Sequence, residues 1–376
     1  MLFKDIQGND NIKRQLIQMV DNNHVGHALL FNGPEGNAKL QLALAFAQYL
    51  NCDDRHDGDS CGVCPSCTQF AKLAHPDLHF IFPVGTSKLK KTKDTVSDDF
   101  IEEWREFIFD NYALGTLNNW YNCIKIDSGI INALDCNGII KTLSYTSYQS
   151  KYKIMVIWMV EKLFYAAAPK ILKILEEPSE NTLFLLITEN RAAILDTIIS
   201  RTQSINIPEF TNDDIKNILI KRNGLSEQEA IKIAAVADGN AATALSCVLM
   251  PEARMTAFDD FISWMRVCIR SNMNEILPHA EQISKRGREG CTFFLKSALS
   301  LLQQALFLNE TGQFIMPMPE NQTETFTKFS RFVNKTNIIN YNTAIDKSIK
   351  NIERNGYIPL IMTNLTIALC RIIKQK

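Results

Sequence analysis

Four cysteines, Cys52, Cys61, Cys64 and Cys67, follow the spacing C-x8-C-x2-C-x2-C. Four thiolates this close suit one tetrahedral Zn²⁺, because two-residue gaps let neighbouring sulfurs turn toward a common point. Asp53–Ser60 is polar and holds Gly58, so it reads as a loop hinged by the metal, while Gly62 and Pro65 suit the turns of a knuckle. Protein fills every ligand position, which makes the predicted ion structural. Its apparent binding energy, roughly 10–16 kcal/mol at neutral pH, is enough to fold a lobe with no core of its own. A redox C-x-x-C pair and unrelated buried thiols are the competing readings, and His56 is a possible substitute ligand. Cys123, Cys136, Cys247, Cys268, Cys291 and Cys370 are scattered and read as small buried hydrophobes.

A second group of residues resembles a phosphate site with parts removed. Asn32-Gly33-Pro34-Glu35-Gly36-Asn37-Ala38-Lys39-Leu40 follows an apolar run at His27–Phe31 and precedes a helical pattern. That is the context of G-x-x-x-x-G-K-[ST], where backbone amides cradle phosphate, lysine reaches the outer phosphates and a hydroxyl holds Mg²⁺. Gly33 and Lys39 match, with Gly36 between them. Ala38 replaces the second glycine, where a methyl can block an unusual backbone angle, and Leu40 replaces the hydroxyl. The companion motif is an apolar strand ending in Asp-Glu, which positions Mg²⁺ and the attacking water. Here Ile154-Met155-Val156-Ile157 runs into Trp158-Met159, neither of which ligates magnesium, and Glu161 is out of register. Loss of the hydroxyl and both carboxylates argues against hydrolysis.

The elements that must position these groups come in two styles. Over residues 1–208, short apolar runs alternate with helical patterns, as in a parallel sheet with crossover helices. Predicted strands are His27–Phe31, Cys123–Asp127, Lys153–Trp158, Thr182–Thr188 and Ser204–Ile207, with helices such as Leu40–Leu50 and Ala167–Glu176 between them. Residues 209–250 read as a small helical domain opened by Thr211, and residues 251–376 as helices only. There Leu295, Leu299, Leu302 and Leu306 make one stripe, and Ile361, Leu365, Leu369 and Ile372 another. An insertion at about residues 85–118 joins a basic patch (Lys88, Lys90, Lys91, Lys93) to an acidic amphipathic stretch around Phe100, Trp104 and Phe107. It reads as a solvated surface insertion, the alternative being a nucleic-acid or partner contact.

Composition excludes several classes. The 376 residues are 46% hydrophobic and 22% charged, ordinary for a globular chain and unlike a disordered one. Lys and Arg total 40 against 41 Asp and Glu, so coating nucleic acid by bulk charge is excluded. The start, Met1-Leu2-Phe3-Lys4-Asp5, lacks the basic-then-apolar form of a signal peptide, and no uninterrupted apolar run reaches the roughly 18 residues that span a bilayer. A cytoplasmic protein is predicted, in which 10 cysteines do not form a disulfide framework.

The sequence resembles the clamp-loader subunits of bacterial DNA polymerase III, an AAA+ family, and its delta-prime branch most closely. The likeness is carried by Phe3-Lys4-Asp5-Ile6-Gln7-Gly8, by His27-Ala28-Leu29-Leu30-Phe31-Asn32-Gly33-Pro34 and by the four-cysteine insertion after the loop helix. Lys151-Tyr152-Lys153-Ile154, Leu172-Lys173-Ile174-Leu175-Glu176-Glu177-Pro178, Thr188-Glu189 and Ser200-Arg201-Thr202 continue it, the last with threonine where the family has cysteine. The resemblance implies an AAA+ α/β domain, a helical lid and a helical collar that joins subunits in a ring-like spiral. It implies a non-hydrolysing stator, with gamma or tau and delta subunits, the sliding clamp and primer-template DNA as partners. Arg201 would then be a trans-acting finger toward ATP held by a neighbour, worth roughly 10³–10⁵-fold in related switches. Gly239-Asn240-Ala241-Ala242-Thr243 lacks the lid's sensing arginine, a further departure from the hydrolysing branch. Alternatives are an ATP-hydrolysing motor of the same architecture and a zinc-dependent nucleic-acid-binding module.

Overall fold

Parallel pairing organises the first half of the chain. β1 (Ala28–Asn32), β2 (Leu78–Ile81), β3 (Lys153–Trp158), β4 (Thr182–Thr188) and β5 (Gln203–Asn206) form one sheet in the order β2-β3-β4-β1-β5, every neighbouring pair parallel. β3 and β4 are buried along their whole length, as continuous apolar runs require when both sheet faces are covered. The computed structural model describes residues 1–87, 89, 95–144, 147–249, 251–314 and 320–374. Lys88, Lys90, Lys91 and Lys93, the basic patch, lie outside the described residues.

The sheet is accompanied by α1 (Asp10–Asp21), α2 (Lys39–Leu50), α3 (Pro65–Ala71), α4 (Ile101–Asp110), α5 (Leu117–Ile124), α6 (Ala133–Ser144), α7 (Ala168–Glu176), α8 (Asp196–Ile199) and α9 (Asn212–Asn223). Because β1 lies between β4 and β5, the loop after it opens where the strand order reverses, the usual place for a ligand crevice. That loop is Gly33–Ala38.

Two sequence expectations are overturned here. Cys123–Asp127 is not a strand; it is the end of α5 and its exit turn. Thr116 caps α5 by accepting the Asn119 N–H, Leu117, Trp120, Tyr121 and Ile124 share its buried face, and Lys125 at φ 56° ends it. The fifth strand is β2, whose Leu78–Ile81 register against Ile154–Ile157 of β3 extends the sheet. From residue 95 on, the insertion is also not a solvated appendage. The acids of α4 point outward, while Trp104 and Phe107 pack inward. Trp104 stacks on Phe82 at 4.4 Å and 22° and meets Trp120 edge-on at 5.2 Å, and the Trp120 Nε1 donates to Pro83 O at 2.8 Å. The spacing that reads as amphipathic is therefore core-facing, and it covers the sheet beside β2.

Contacts divide the chain into two units, Met1–Glu227 with Ala237–Leu245, and Gln228–Val236 with Ser246–Lys376. α10 (Glu227–Ala237) and α11 (Ala241–Leu249) straddle the division. The second unit continues with α12 (Pro251–Arg270), α13 (Met273–Ser284), α14 (Gly287–Thr311), α15 (Glu320–Ser330), α16 (Ile338–Glu353) and α17 (Ile358–Lys374). Both stripes face its core. Leu295, Leu302, Leu365 and Leu369 are buried, Leu299, Leu306 and Ile361 pack against them, and the Trp264 Nε1 donates to Thr366 Oγ1 at 2.9 Å. Gly290–Thr311 is long and apolar enough by composition to cross a bilayer, but half of its most apolar window is buried inside this helical core.

Candidate functional site

The cysteine lobe lies directly after α2. The Sγ atoms of Cys52, Cys61, Cys64 and Cys67 all lie within 4.8 Å of one another. Cys52 to Cys61 is 3.6 Å and Cys61 to Cys67 is 3.9 Å, near the edge of about 3.8 Å that a tetrahedron with 2.3 Å Zn–S bonds has. The backbone N–H groups of Cys61, Cys64 and Cys67 donate to the sulfurs of Cys52, Cys61 and Cys64, each at 3.3 Å. Such amide–sulfur bonds orient thiolates and offset their charge, so the donor set fits a zinc ion in its chemistry and its spacing. His56 stands apart, exposed and beside Asp57 at 3.2 Å.

At the loop after β1, Gly33 and Gly36 are required by packing. A Cβ on Gly33 would come within 2.1 Å of Asn37 Nδ2, and one on Gly36, at φ 75°, within 1.9 Å of Asn240 Oδ1. Ala38 sits at φ −75°, where a methyl costs nothing, so its replacement of glycine does not strain the loop. Lys39 is buried, and its ammonium is fully used within the chain. It donates to Pro34 O at 2.7 Å and Asn37 Oδ1 at 3.2 Å, and it pairs with Glu189 Oε1 at 3.1 Å. An ammonium has three N–H donors, so the residue that would reach a phosphate is already satisfied. Asn37 ties the loop to the residue after β5 by donating to Ile207 O at 2.8 Å, and the Ala241 N–H closes the other side on Gly36 O at 3.0 Å.

Where a hydrolase would carry its carboxylates, Trp158 faces Trp104 at 5.1 Å, and Met159 is buried at φ 58°. Glu161 reaches the site by another route, its Oε1 accepting the Glu189 N–H at 2.9 Å. Thr188 is buried and its hydroxyl accepts the Asn190 N–H at 3.1 Å, a structural use. The sequence motifs contain Asn37, Glu161, Glu189 and Asn240, but none of the four is a site residue by pattern, and Glu161 is out of register for a magnesium ligand.

Burial, opposed by Lys39 and reinforced by Glu35 and Glu161, pushes the Glu189 carboxyl up to about 6. A carboxyl raised in the fold favours the folded state below its ordinary value of 4.5, and that contribution is lost as pH rises through about 6. Urea unfolding of the wild type and Glu189→Gln is therefore expected to diverge across this window. The wild type should lose up to about 2 kcal/mol relative to the variant as pH rises. Parallel pH profiles would contradict the raised carboxyl.

Arg201 lies in the turn between α8 and β5. Its Nη1 donates to Thr197 O at 2.9 Å and to Ser200 Oγ at 3.3 Å, and its Nη2 pairs with Glu176 of α7. Thr202 Oγ1 closes the turn on Ile199 O at 3.1 Å. β5 runs parallel to β1 with Gln203 beside Leu29 and Asn206 beside Asn32. Arg201 therefore precedes the N-terminal end of its strand, whereas Gly33–Lys39 follows the opposite end, about 10 Å further along the strands. The fold does not bring Arg201 to its own phosphate loop.

One further arrangement imitates a nucleophile relay. His75 Nε2 lies 3.0 Å from Ser150 Oγ, and Asp77 is adjacent. However, the Asp77 backbone N–H donates to His75 Nδ1 at 3.1 Å, which places the ring proton on Nε2, pointing at the serine rather than ready to accept from it. The Asp77 carboxylate accepts the N–H groups of Tyr148, Gln149 and Ser150 at 2.6, 2.8 and 2.8 Å. Burial alone would raise this carboxyl, but the three amides outweigh it and hold it below its ordinary value. This group is a loop clamp.

Comparison with known proteins bears on the first unit. The profile of a family described as "DNA polymerase III, delta subunit" matches residues 8–211. The DNA polymerase III subunit delta' of Bacillus subtilis is 26% identical over 212 residues, 56% of this chain and 51% of that protein. The delta' subunit of Haemophilus influenzae is 27% identical over 220 residues, 58% of this chain and 54% of that one. The tau subunit of Bacillus subtilis is 26% identical over 250 residues, 65% of this chain and 36% of the relative. The matches thus span about half the length of the delta' relatives and about a third of tau. A solved gamma-subunit-related protein from Thermotoga maritima aligns over 96% of this chain and 99% of its own, with 13% identity and a TM-score of 0.47.

Proposed function

Because the chain belongs to the DNA polymerase III delta-subunit family, we propose that it is a non-hydrolysing subunit of a clamp loader, acting in the cytoplasm during replication. It works by contact: it assembles with gamma or tau and delta subunits, helps load the sliding clamp on primer-template DNA, and supplies Arg201 to ATP held by a neighbour. In this reading residues 209–250 serve as lid, residues 251–376 as collar, and Cys52, Cys61, Cys64 and Cys67 hold a structural zinc ion.

The observation that carries the reading is the state of Lys39. All three of its N–H donors are committed, to Pro34, Asn37 and Glu189. Leu40, Trp158 and Met159 occupy the positions where magnesium ligands would sit. A metal-bound triphosphate would have to displace a buried ion pair, and Leu40, Trp158 and Met159 would offer its metal no oxygen ligand. The position of Arg201 supports action in trans, since it lies at the sheet end opposite its own loop.

The purified chain is expected to show no ATP turnover, with or without primed DNA. Robust turnover that disappears in Lys39→Ala would replace this reading with that of a motor subunit.

Any zinc bound at the four cysteines supplies cross-linking and no chemistry on a substrate. The chain's own contribution there is to aim three backbone amides at the sulfurs and to anchor the lobe. Ser66 Oγ donates to Asn51 O at 2.7 Å, and the N–H groups of Phe3 and Lys4 donate to the Asp59 carboxylate at 3.0 and 2.9 Å.

A further inference from the structure

Away from the phosphate loop, the first unit carries an open cavity of about 330 Å³. Its walls are mainly apolar, from Leu44 of α2, Phe70 of α3, Leu73, and Ile108, Phe109 and Tyr112 of the insertion. Phe109, one of the lining residues, is 48% exposed, whereas Trp104, Phe107 and Ile108 of the same helix are buried. A narrow cleft adjoins the cavity and shares Asp5, Tyr112 and Arg222 with it, adding Gln41 and Lys221.

Three polar features converge there. The Arg222 guanidinium sits over the Tyr112 ring at 4.7 Å and, among the described residues, pairs with no carboxylate. Lys221 adds a second cation at the end of α9, and Asp5, whose carboxylate accepts the Leu2 N–H at 3.2 Å, is the one acid on these walls. Gln41 is 4% exposed, and its Nε2 donates to Tyr112 O at 2.8 Å, which fixes the amide. Its Oε1 is buried without a donor. A buried acceptor left unpaired costs about 1–3 kcal/mol, so it marks a place where a donor is missing.

We propose that this cavity captures the last residue of a polypeptide that ends in an apolar side chain. The side chain fills the apolar chamber, the terminal carboxylate pairs with Arg222, and the last peptide N–H donates to Gln41 Oε1. Each demand of the site has one counterpart in that ligand: apolar walls, an unpaired planar cation suited to bidentate carboxylate binding, and an acceptor lacking a proton. A simple amphiphilic acid offers the first two but not the N–H. No residue of the phosphate loop lines the site, so the inference is independent of the function proposed above.

Calorimetric titration of the full chain with acetyl-Gly-Gly-Phe as the free acid is expected to show saturable binding, weakened at least tenfold by amidation of the terminal carboxylate. Arg222→Met, at an exposed position that leaves the fold unchanged by circular dichroism, should abolish the preference for the acid. Octanoate should bind at least tenfold more weakly than the peptide. Equal binding of acid and amide, or an acid preference retained in Arg222→Met, would overturn the carboxylate assignment. Octanoate binding as tightly as the peptide would overturn the polypeptide end as occupant, and no binding of any probe at millimolar concentration would overturn the site.

Discussion

Replacing Arg201 by alanine in an assembled loader is expected to slow DNA-stimulated ATP turnover at the adjoining site by roughly 10³–10⁵-fold, the range found where an arginine completes a neighbour's phosphoryl-transfer site. The local geometry suits the proposed role. Thr197 O and Ser200 Oγ hold Nη1, so little freedom is lost when the guanidinium meets a phosphate, while the Glu176 pair is exposed and exchangeable. An ion pair whose side chains are 34% and 48% exposed contributes about 0–1 kcal/mol, so the variant should fold and assemble like the wild type. Arg201→Lys should not restore the rate, because a point charge lacks the planar fork. The measurement is steady-state turnover with clamp and primed DNA, paired with sedimentation to show that assembly is intact. Unchanged turnover in an intact assembly would remove Arg201 from the mechanism.

The second large effect concerns the cysteines. Cys64→Ser is expected to reduce bound zinc from one per chain to a small fraction and to expose residues 53–60 to proteolysis. Serine makes this a clean substitution. Cys64 is also the N-cap of α3, accepting the Cys67 N–H, and serine is among the best residues for that role. The cap survives, then, and what is lost is one of four thiolates around an ion whose binding contributes roughly 10–16 kcal/mol. Residues 53–58 are exposed, and the Asp59 and Ser66 hydrogen bonds anchor only the flanks of that stretch. Chelation of the wild type should reproduce the proteolytic pattern. A full zinc complement in Cys64→Ser would overturn the ligand set.

Chemistry encoded in close spacing was legible from the residues alone. The cysteine cluster depends on gaps of a few residues, and so does the strand–loop–helix passage around Gly33–Lys39. The capping box of Thr211 and Asp214 that opens α9 is equally local. Replacement of magnesium ligands by Leu40, Trp158 and Met159 needs no coordinates, because no folded context gives those side chains an oxygen. The apolar stripes of α14 and α17 were visible for a similar reason, the period of a helix fixing which positions share a face.

Tertiary structure decided everything that depends on partners far apart in the chain. β2 is a strand because Leu78–Ile81 finds β3 more than 70 residues later, while the apolar run at Cys123 joins a helix already capped at Thr116. Whether the Trp104 face met water or protein turned on Phe82, Trp120 and Trp158 arriving beside it. Lys39 was readable as a phosphate ligand, but only folding brings Glu189 across 150 positions to occupy it and sets Arg201 at the other end of the sheet. Side-chain type and short-range period are properties of neighbours along the backbone. Which charge is neutralised, and which surface is covered, follow from chain closure over long separations, which local pattern does not specify.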